Sequence, residues 1–261
     1  MREVEIEKYD LATRTSKKVA DQIAEERPLH LFVNSTYWAM ILCSPSNLKE
    51  MAVGHLLSEG ILKSTAEIEE VKLKETENSC YVKLKAGINV DERLSLSRLH
   101  QRIVTSACGD QSIYQYQRKP AKIISNLNVK AEVLFNSVNQ LNFKAEIFRQ
   151  TGGVHAASIC KADGSIMALA EDVGRHNAVD KVIGMAALNQ TKFSECFLTS
   201  TGRLSGDIVF KASKVGLPIV ASLGAALDSG VAMASAANLT LAGFVRGKRM
   251  NIYNAPERIT L

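Results

Sequence analysis

Cys108 sits in the stretch Thr105–Ser112, "TSACGDQS", among small and polar residues. A structural cysteine takes apolar neighbours, whereas Ser106, Gly109, Asp110 and Gln111 surround this sulfur. That is the local setting of a reactive thiol, whose thiolate is the nucleophile and which titrates near about 8.5 when free. A loop that brings the sulfur close to backbone N–H groups or a basic side chain raises its ionised fraction. Cys43, Cys80, Cys160 and Cys196 fall in apolar or strand-like runs and read as packing residues. The cysteine count is odd and no two cysteines are close in sequence, which argues against a disulfide framework and against a structural zinc site.

A second group of candidates lies in four loops: "RQTGGVHA", "EDVGRHNA", "TSTGRLSGD" and "FVRGKRMN". They contribute Gly152, Gly153 and His155, then Arg175 and His176, then Gly202 and Arg203, and finally Phe244, Arg246, Gly247, Lys248 and Arg249. The second and third loops follow predicted strands and precede helices. In open α/β sheets, ligands bind at such strand ends. Small residues there let backbone N–H groups approach an anion, and the arginines with Lys248 supply positive charge. Any one of these glycines fits an ordinary turn as well, and Lys248 fits a solvated surface. Together the loops point to an anionic, nucleotide-like ligand. His155 opens a strand and His176 lies in the first turn of a helix, and either could serve as a structural hydrogen-bonding group. The helix dipole disfavours a cation at that end, so His176 is expected to be neutral. Asp180 and Lys181 read as residues that hold the same helix.

Other chemistries find no support. Zinc deaminases need H-x-E and P-C-x-x-C, but His155-Ala156-Ala157 lacks the glutamate and the chain has no C-x-x-C. Neither a G-x-S-x-G elbow nor a P-loop is present. No metal site is expected. The net charge of +5 suits a phosphate-bearing ligand and is too small to argue for duplex nucleic acid. The opening "MREVEIEKYD" has no apolar segment, so no signal peptide is expected. The Ala- and Ser-rich stretch from Val215 to Val245 carries Pro218, Asp228 and Asn238 and does not read as a membrane span. A cytoplasmic location is expected.

The elements that must position these loops divide the chain in three. Residues 1–103 read as a small α+β subdomain, with a period-two exposed strand in "REVEIEKY" and buried strands in "LHLFVN" and "YWAMILCS". "NLKEMAVGHLLSEGIL" reads as a helix with a capping-box-like start at Asn47 and Glu50 and a stop at Gly60. Its inner face would carry Leu48, Met51, His55 and Leu56. "EIEEVKLKE" and "SCYVKLKA" form a strand pair. Residues 104–128 are polar and aperiodic and read as a connector holding a mobile cysteine loop. Residues 129–261 alternate helix and strand, with a hairpin over "DG" at Asp163-Gly164 and a helix capped by Ser205. This predicts a partly parallel sheet sandwiched by helices.

The motifs "TGGVHAA", "EDVGRHNAVDKVIG", "TGRLSGDIVFKASKVGLPIVASLGA" and "LTLAGFVRGKRMNIY" together resemble the FdhD family of formate dehydrogenase accessory sulfurtransferases, over essentially the whole chain. The resemblance implies a three-layer α/β/α core like that of cytidine deaminase, without zinc, and a homodimer. It implies that sulfur is taken from a cysteine desulfurase as a persulfide and passed to the molybdenum bis(guanine dinucleotide) cofactor used by formate dehydrogenase. The persulfide cysteine is the first of the family's C-G-x-C-G loop, which falls on Cys108. The cofactor-binding stretch falls on Phe244, Val245, Arg246, Gly247, Lys248 and Arg249. Here the loop reads C-G-D-Q-S, so Gln111 and Ser112 replace the second Cys-Gly. A two-cysteine relay is thereby put in question, while one thiolate still suffices to carry a persulfide. Asp172 and Asp228 are candidate carboxylates for the N–H edge of guanine. Two rival readings remain at this stage: a non-catalytic chaperone of the dinucleotide cofactor, and a diverged deaminase.

Overall fold

A computed structural model of the chain describes residues 1–89, 93 and 119–261. The first strands, β1 (Arg2–Asp10) and β2 (Thr15–Ile23), pair as an antiparallel hairpin whose Val4, Ile6 and Val19 are half-buried. Strands β3 (Arg27–Val33) and β4 (Thr36–Cys43) follow, then helix α1 (Leu48–Ser58), β5 (Ile68–Lys74) and β6 (Ser79–Leu84). Their sheet has the order β4-β3-β6-β5, with β3 and β6 parallel. The predicted strand pair is β5 against β6.

The second half begins with the short strand β7 (Val129–Lys130), helices α2 (Ala131–Lys144) and α3 (Glu146–Thr151), and the hairpin β8 (His155–Lys161) with β9 (Ile166–Asp172). Then come α4 (Arg175–Leu188), β10 (Cys196–Ser200), α5 (Gly206–Val215), β11 (Ile219–Ser222), α6 (Asp228–Ala237), β12 (Thr240–Arg246), β13 (Arg249–Asn254) and β14 (Ile259–Thr260). Six strands form one sheet in the order β13-β12-β11-β10-β8-β9, in which β10, β11 and β12 are parallel. The two-residue strands β14 and β7 pair in parallel beside it.

Alternation along the central strands decides the layers, because successive side chains point to opposite faces. Phe197, Ile219 and Ala221 join Leu134 and Val138 of α2 on one face. Leu198 and Val220 join α1, α4, α5 and α6 on the other. The chain therefore adopts the three-layer α/β/α core read from its sequence. The same apolar cluster continues through α1 into Leu29, Leu31 and Val82 of the four-stranded sheet. No helix among the described residues is long and apolar enough to cross a membrane.

Helix α1 differs from its expected form in two ways. Asn47 takes a left-handed conformation (φ 55) with no side-chain cap bond, so the capping box does not form. Met51 to Ser58 are all buried, because α1 is clamped between the small sheet and α4 rather than laid on one face. The clamp depends on Gly54 and Gly184. A Cβ built on Gly54 would overlap the carbonyl of Asp180, and one on Gly184 the carbonyl of Glu50. At α5, likewise, Ser205 occupies the cap position without forming a cap bond.

This crossing sets the first prediction. Gly54→Ala forces the two helix backbones apart and should destabilise the fold by about 3 kcal/mol. Urea unfolding measures this, and a midpoint equal to wild type would show that the helices separate freely.

Candidate functional site

The strand directions bring four loops to one edge of the large sheet. β9 runs parallel to β10 across the antiparallel β8, so the carboxyl ends of β9, β10, β11 and β12 lie together. The amino ends of α4, α5 and α6 follow directly from β9, β10 and β11. β8 runs the other way, so its first residue, His155, reaches the same edge.

Strands β10 and β11 end in the same device. Ser200 Oγ accepts from the Gly202 N–H at 3.1 Å, and Ser222 Oγ accepts from the Gly224 N–H at 3.0 Å. Ser222 Oγ lies 2.8 Å from Ser200 O and 2.5 Å from Gly202 O, which locks the two turns together. The approach is too close for a side chain. A Cβ on Gly224 would stand 2.6 Å from Gly202 O, and one on Gly202 would stand 2.9 Å from Arg175 Cβ.

These bonds change how the loops can meet an anion. The Val173 N–H donates to Ser44 Oγ at 3.1 Å, Gly174 to Asp172 Oδ1 at 2.8 Å, and Gly206 to Ser229 Oγ at 3.2 Å. Gly153 donates to Thr151 Oγ1 at 3.1 Å. The loop N–H groups expected to cradle an anion at these positions are thus turned inward. The glycines serve backbone approach, and the charge of the site comes from its side chains.

His155, Arg175 and Arg203 meet at this edge. His155 Nδ1 lies 3.4 Å from Thr201 Oγ1. Burial holds the His155 imidazole below its ordinary pKa, and the Arg175 and Arg203 charges push it the same way. Arg175 is 8% exposed and packs its stem on Gly202, whereas Arg203 is exposed. His176 is also kept neutral, as expected, with its pKa lowered to about 3. The main cause is burial, followed by the charges of Arg175 and Lys211. Two buried polar atoms at the helix starts, His176 Nε2 and Ser205 Oγ, have no hydrogen-bond partner among the described residues.

The C-terminal stretch joins the same edge through a bulge. Pairing of β12 with β13 shifts between Gly243 and Arg246, and Phe244 takes φ 53. A positive φ is an outlier for a bulky residue, so the bulge holds Phe244 in a strained backbone conformation. The Phe244 N–H donates to Gly224 O at 2.9 Å, and the Arg246 guanidinium lies 5.2 Å from the Phe244 ring centre. Gly247 and Lys248, both at φ 60, make the two-residue turn between the strands. Arg246 and Arg249 stand opposite each other. With Lys248 they are exposed, and none of the three forms a salt bridge among the described residues. Val245 is fully buried beside Ala221 and Ala242, so it supports the stretch from the core.

Other candidates are placed differently. Gly152 ends α3 at φ 64, and Gly153 lies against Ala24. Both are turn positions at the entry to β8. Asp172 is wholly buried with both oxygens bonded, so it does not read a guanine edge. Asp228 begins α6 and accepts the Ser229 N–H at 2.7 Å. Asp180 holds its helix, as expected. Burial pushes its carboxyl up, but Lys211 and His55 outweigh this and hold it below the ordinary range. Cys43 and Cys80 are pushed up to about 12 and Cys160 to about 11, mainly by burial. They are inert packing thiols, and Cys196 is buried too. Cys108, Gln111 and Ser112 lie outside the described residues. Among the described residues, no three His, Cys, Asp or Glu side chains cluster to hold a metal ion. The hydroxyls of Ser200 and Ser222 were not anticipated, although the repeat of Ser-x-Gly after two successive strands ("STG", "SLG") is their signature.

The FdhD/NarQ family model matches residues 24–260. The chain belongs to the FdhD/NarQ family. It is 35% identical over 243 residues to the sulfur carrier protein FdhD of Bacillus pumilus, covering 92% of this chain and 91% of that one. It is 36% identical over 264 residues to that of Saccharolobus solfataricus, covering 98% and 99%. Its fold matches a crystal structure provisionally named as a formate dehydrogenase accessory protein from Desulfotalea psychrophila, with a TM-score of 0.80, 24% identity and 99% of each chain covered.

For this family member, the neutral His176 has a consequence for stability. Its folded pKa lies below the unfolded value near about 6.5, so the unfolded chain binds the extra proton first as pH falls. Stability is therefore lost progressively below about pH 6.5, down to the folded value of about 3. Between about pH 6.5 and pH 5 the wild type should lose roughly 2 kcal/mol more than His176→Gln. Urea unfolding at the two pH values checks this, and equal losses would overturn it.

Proposed function

We propose that this chain is a sulfur carrier that serves formate dehydrogenase. It takes sulfur from a cysteine desulfurase as a persulfide on Cys108 and delivers it to the molybdenum bis(guanine dinucleotide) cofactor, its substrate. The observation that carries the reading is the cationic strand-end edge. His155, Arg175 and Arg203 meet there, and the Gly202–Gly224 contact links them to Phe244 and Arg246. Such an edge suits an elongated anion with aromatic ends: arginine pairs with phosphate oxygens, and Phe244 offers a ring face to a base. The two unpartnered polar atoms at the helix starts fit the same ligand, since buried polar groups require partners. The names of the relatives support sulfur carriage.

The chemistry on the protein side is thiol exchange. The Cys108 thiolate attacks the outer sulfur of the donor persulfide, the donor S–S bond breaks, and the donor cysteine leaves as a thiolate. The other four cysteines do not compete, because their buried sulfurs resist ionisation. One sulfur-bearing side chain in the loop is enough for this step, so Gln111 does not prevent it.

Two experiments test the proposal. After incubation with a cysteine desulfurase and cysteine, peptide mass spectrometry should find one added sulfur on Cys108. Cys108→Ala should carry none and fail to support formate dehydrogenase. Label confined to Cys160 or Cys196 would reject the assignment, and an active Cys108→Ala would leave only a cofactor chaperone. Calorimetry should show GDP binding at least about tenfold tighter than ADP, and Arg203→Ala should weaken GDP by about tenfold. Equal affinities for the two nucleotides would remove base recognition.

A further inference from the structure

We infer that Asp172 is the positioning residue of this site: its carboxylate fixes the turn that presents Arg175 and His176 and ties that turn to the link between β4 and α1. The inference rests on the proposed function only for what the site binds; the geometry is independent of it. Asp172 ends β9 and is wholly buried. Its Oδ1 accepts from the Gly174 N–H at 2.8 Å and from Asn177 Nδ2 at 2.9 Å. Its Oδ2 accepts from the Ser44 N–H at 2.9 Å and stands 2.7 Å from Lys181 Nζ. Three hydrogen-bond donors and the Lys181 ammonium thus surround one wholly buried carboxylate, which is satisfied inside the protein.

The donors are distributed so that they define a turn. Gly174 lies just before Arg175 and His176, and Asn177 lies just after them. Both neighbours are hooked to the same oxygen, so the two residues between are projected from a fixed base. Ser44 adds a second tie, because its Oγ accepts the Val173 N–H at 3.1 Å. Asn177 Nδ2 also reaches Leu42 O at 2.7 Å, and Lys181 Nζ donates to Ser44 O at 3.0 Å. The end of β4 is therefore stapled to the site loop from several directions. Shape alone cannot do this. An asparagine at 172 would turn one acceptor into a donor, facing the Ser44 N–H and the Lys181 ammonium.

The test separates this role from the ligand. Asp172→Asn alone strands the buried Lys181 charge. The deciding variant is therefore Asp172→Ala with Lys181→Met, which removes both charges and both acceptor oxygens. Near-UV circular dichroism reports whether it folds. The His176 ring is then titrated by NMR without nucleotide. Arg175 and Asp180 on its own helix, Lys211 on α5 and Glu59 after α1 are the charged groups that act on it. In the wild type the ring should be silent between about pH 5 and pH 8. In the folded double variant it should titrate inside that window, and GDP affinity should fall by at least about tenfold. A folded double variant with a silent ring and wild-type affinity would overturn the inference. If the double variant does not fold, Asn177→Ala decides, because it removes one donor to Oδ1 and leaves the ion pair. The same two changes support the role, and wild-type behaviour in both overturns it. If wild-type protein binds no GDP, the nucleotide reading fails while the ring titration still judges Asp172.

Discussion

Helices α1 and α4 touch backbone to backbone, and most of the site follows from that contact. Two glycines remove the side chains that would hold the helices apart. Water is thereby excluded from the seam, so any charge on α4 that faces it must be paired inside the protein. The sequence places Asp180 and Lys181 in adjacent positions there, and the two point to different partners. Asp180 lies 2.9 Å from Lys211 Nζ and takes the Ser58 hydroxyl at 2.6 Å and His55 Nδ1 at 3.1 Å. Lys181 goes to Asp172 and Ser44. One pair fastens α4 to α1 and α5, and the other fastens it to the strand end. Such pairs contribute little net stability against apolar replacements, but they tolerate few alternative arrangements. Their effect is to fix where the amino end of α4 stands.

That fixed end explains the character of the strand-end edge. The turns after β9, β10 and β11 are held by Asp172, Ser200 and Ser222, each of which consumes the N–H group of a glycine. A phosphate cradle made from those N–H groups is therefore excluded at these positions. What remains is a rim made of side chains: Arg175, buried with its stem on Gly202, Arg203, exposed, and His155, whose imidazole burial and the two arginines hold below its ordinary pKa. Neutral imidazoles beside arginines can donate or accept hydrogen bonds without adding to the repulsion among the cations. The strained Phe244 backbone extends the rim, because its bulge turns an aromatic ring and Arg246 out of the regular sheet alternation.

Much of this was legible in the residues. The β10 and β11 runs, the Asp163-Gly164 hairpin and the strand–helix rhythm after Val129 gave the layers, because burial on both faces and turn chemistry leave local marks. The loops carrying His155, Arg175 and Arg203 were found for the same reason: they follow strands and contain glycine. What was hidden depends on contacts distant in sequence. Asp172 looked like a carboxylate available to a base, since nothing near it in the chain reveals that Ser44 and Lys181 occupy its second oxygen. The caps expected at Asn47 and Ser205 did not form, because tertiary packing sets those helix starts. Val245 sits in a basic stretch yet faces the core, which follows from the bulge and not from the composition around it.

The two parts of the proposed chemistry make opposite demands on the chain. A sulfur carrier must present its thiolate first to a donor and then to an acceptor, so the residue that holds sulfur needs reach and polar surroundings. The acceptor must be held still, because transfer between sulfur and a bound cofactor depends on alignment. This chain separates the demands. Cys108 lies in a polar, aperiodic segment between the two sheets in sequence, while the four other thiols are buried where ionisation is suppressed. The cationic rim is built on strand ends and helix starts locked by buried carboxylate and hydroxyl bonds. With only one cysteine in the loop, no second thiol is at hand there to resolve the persulfide as a disulfide. On the proposed reading the sulfur would stay on Cys108 until an acceptor is seated on the rim, and the rigidity set by the buried seam would then contribute to the specificity of delivery.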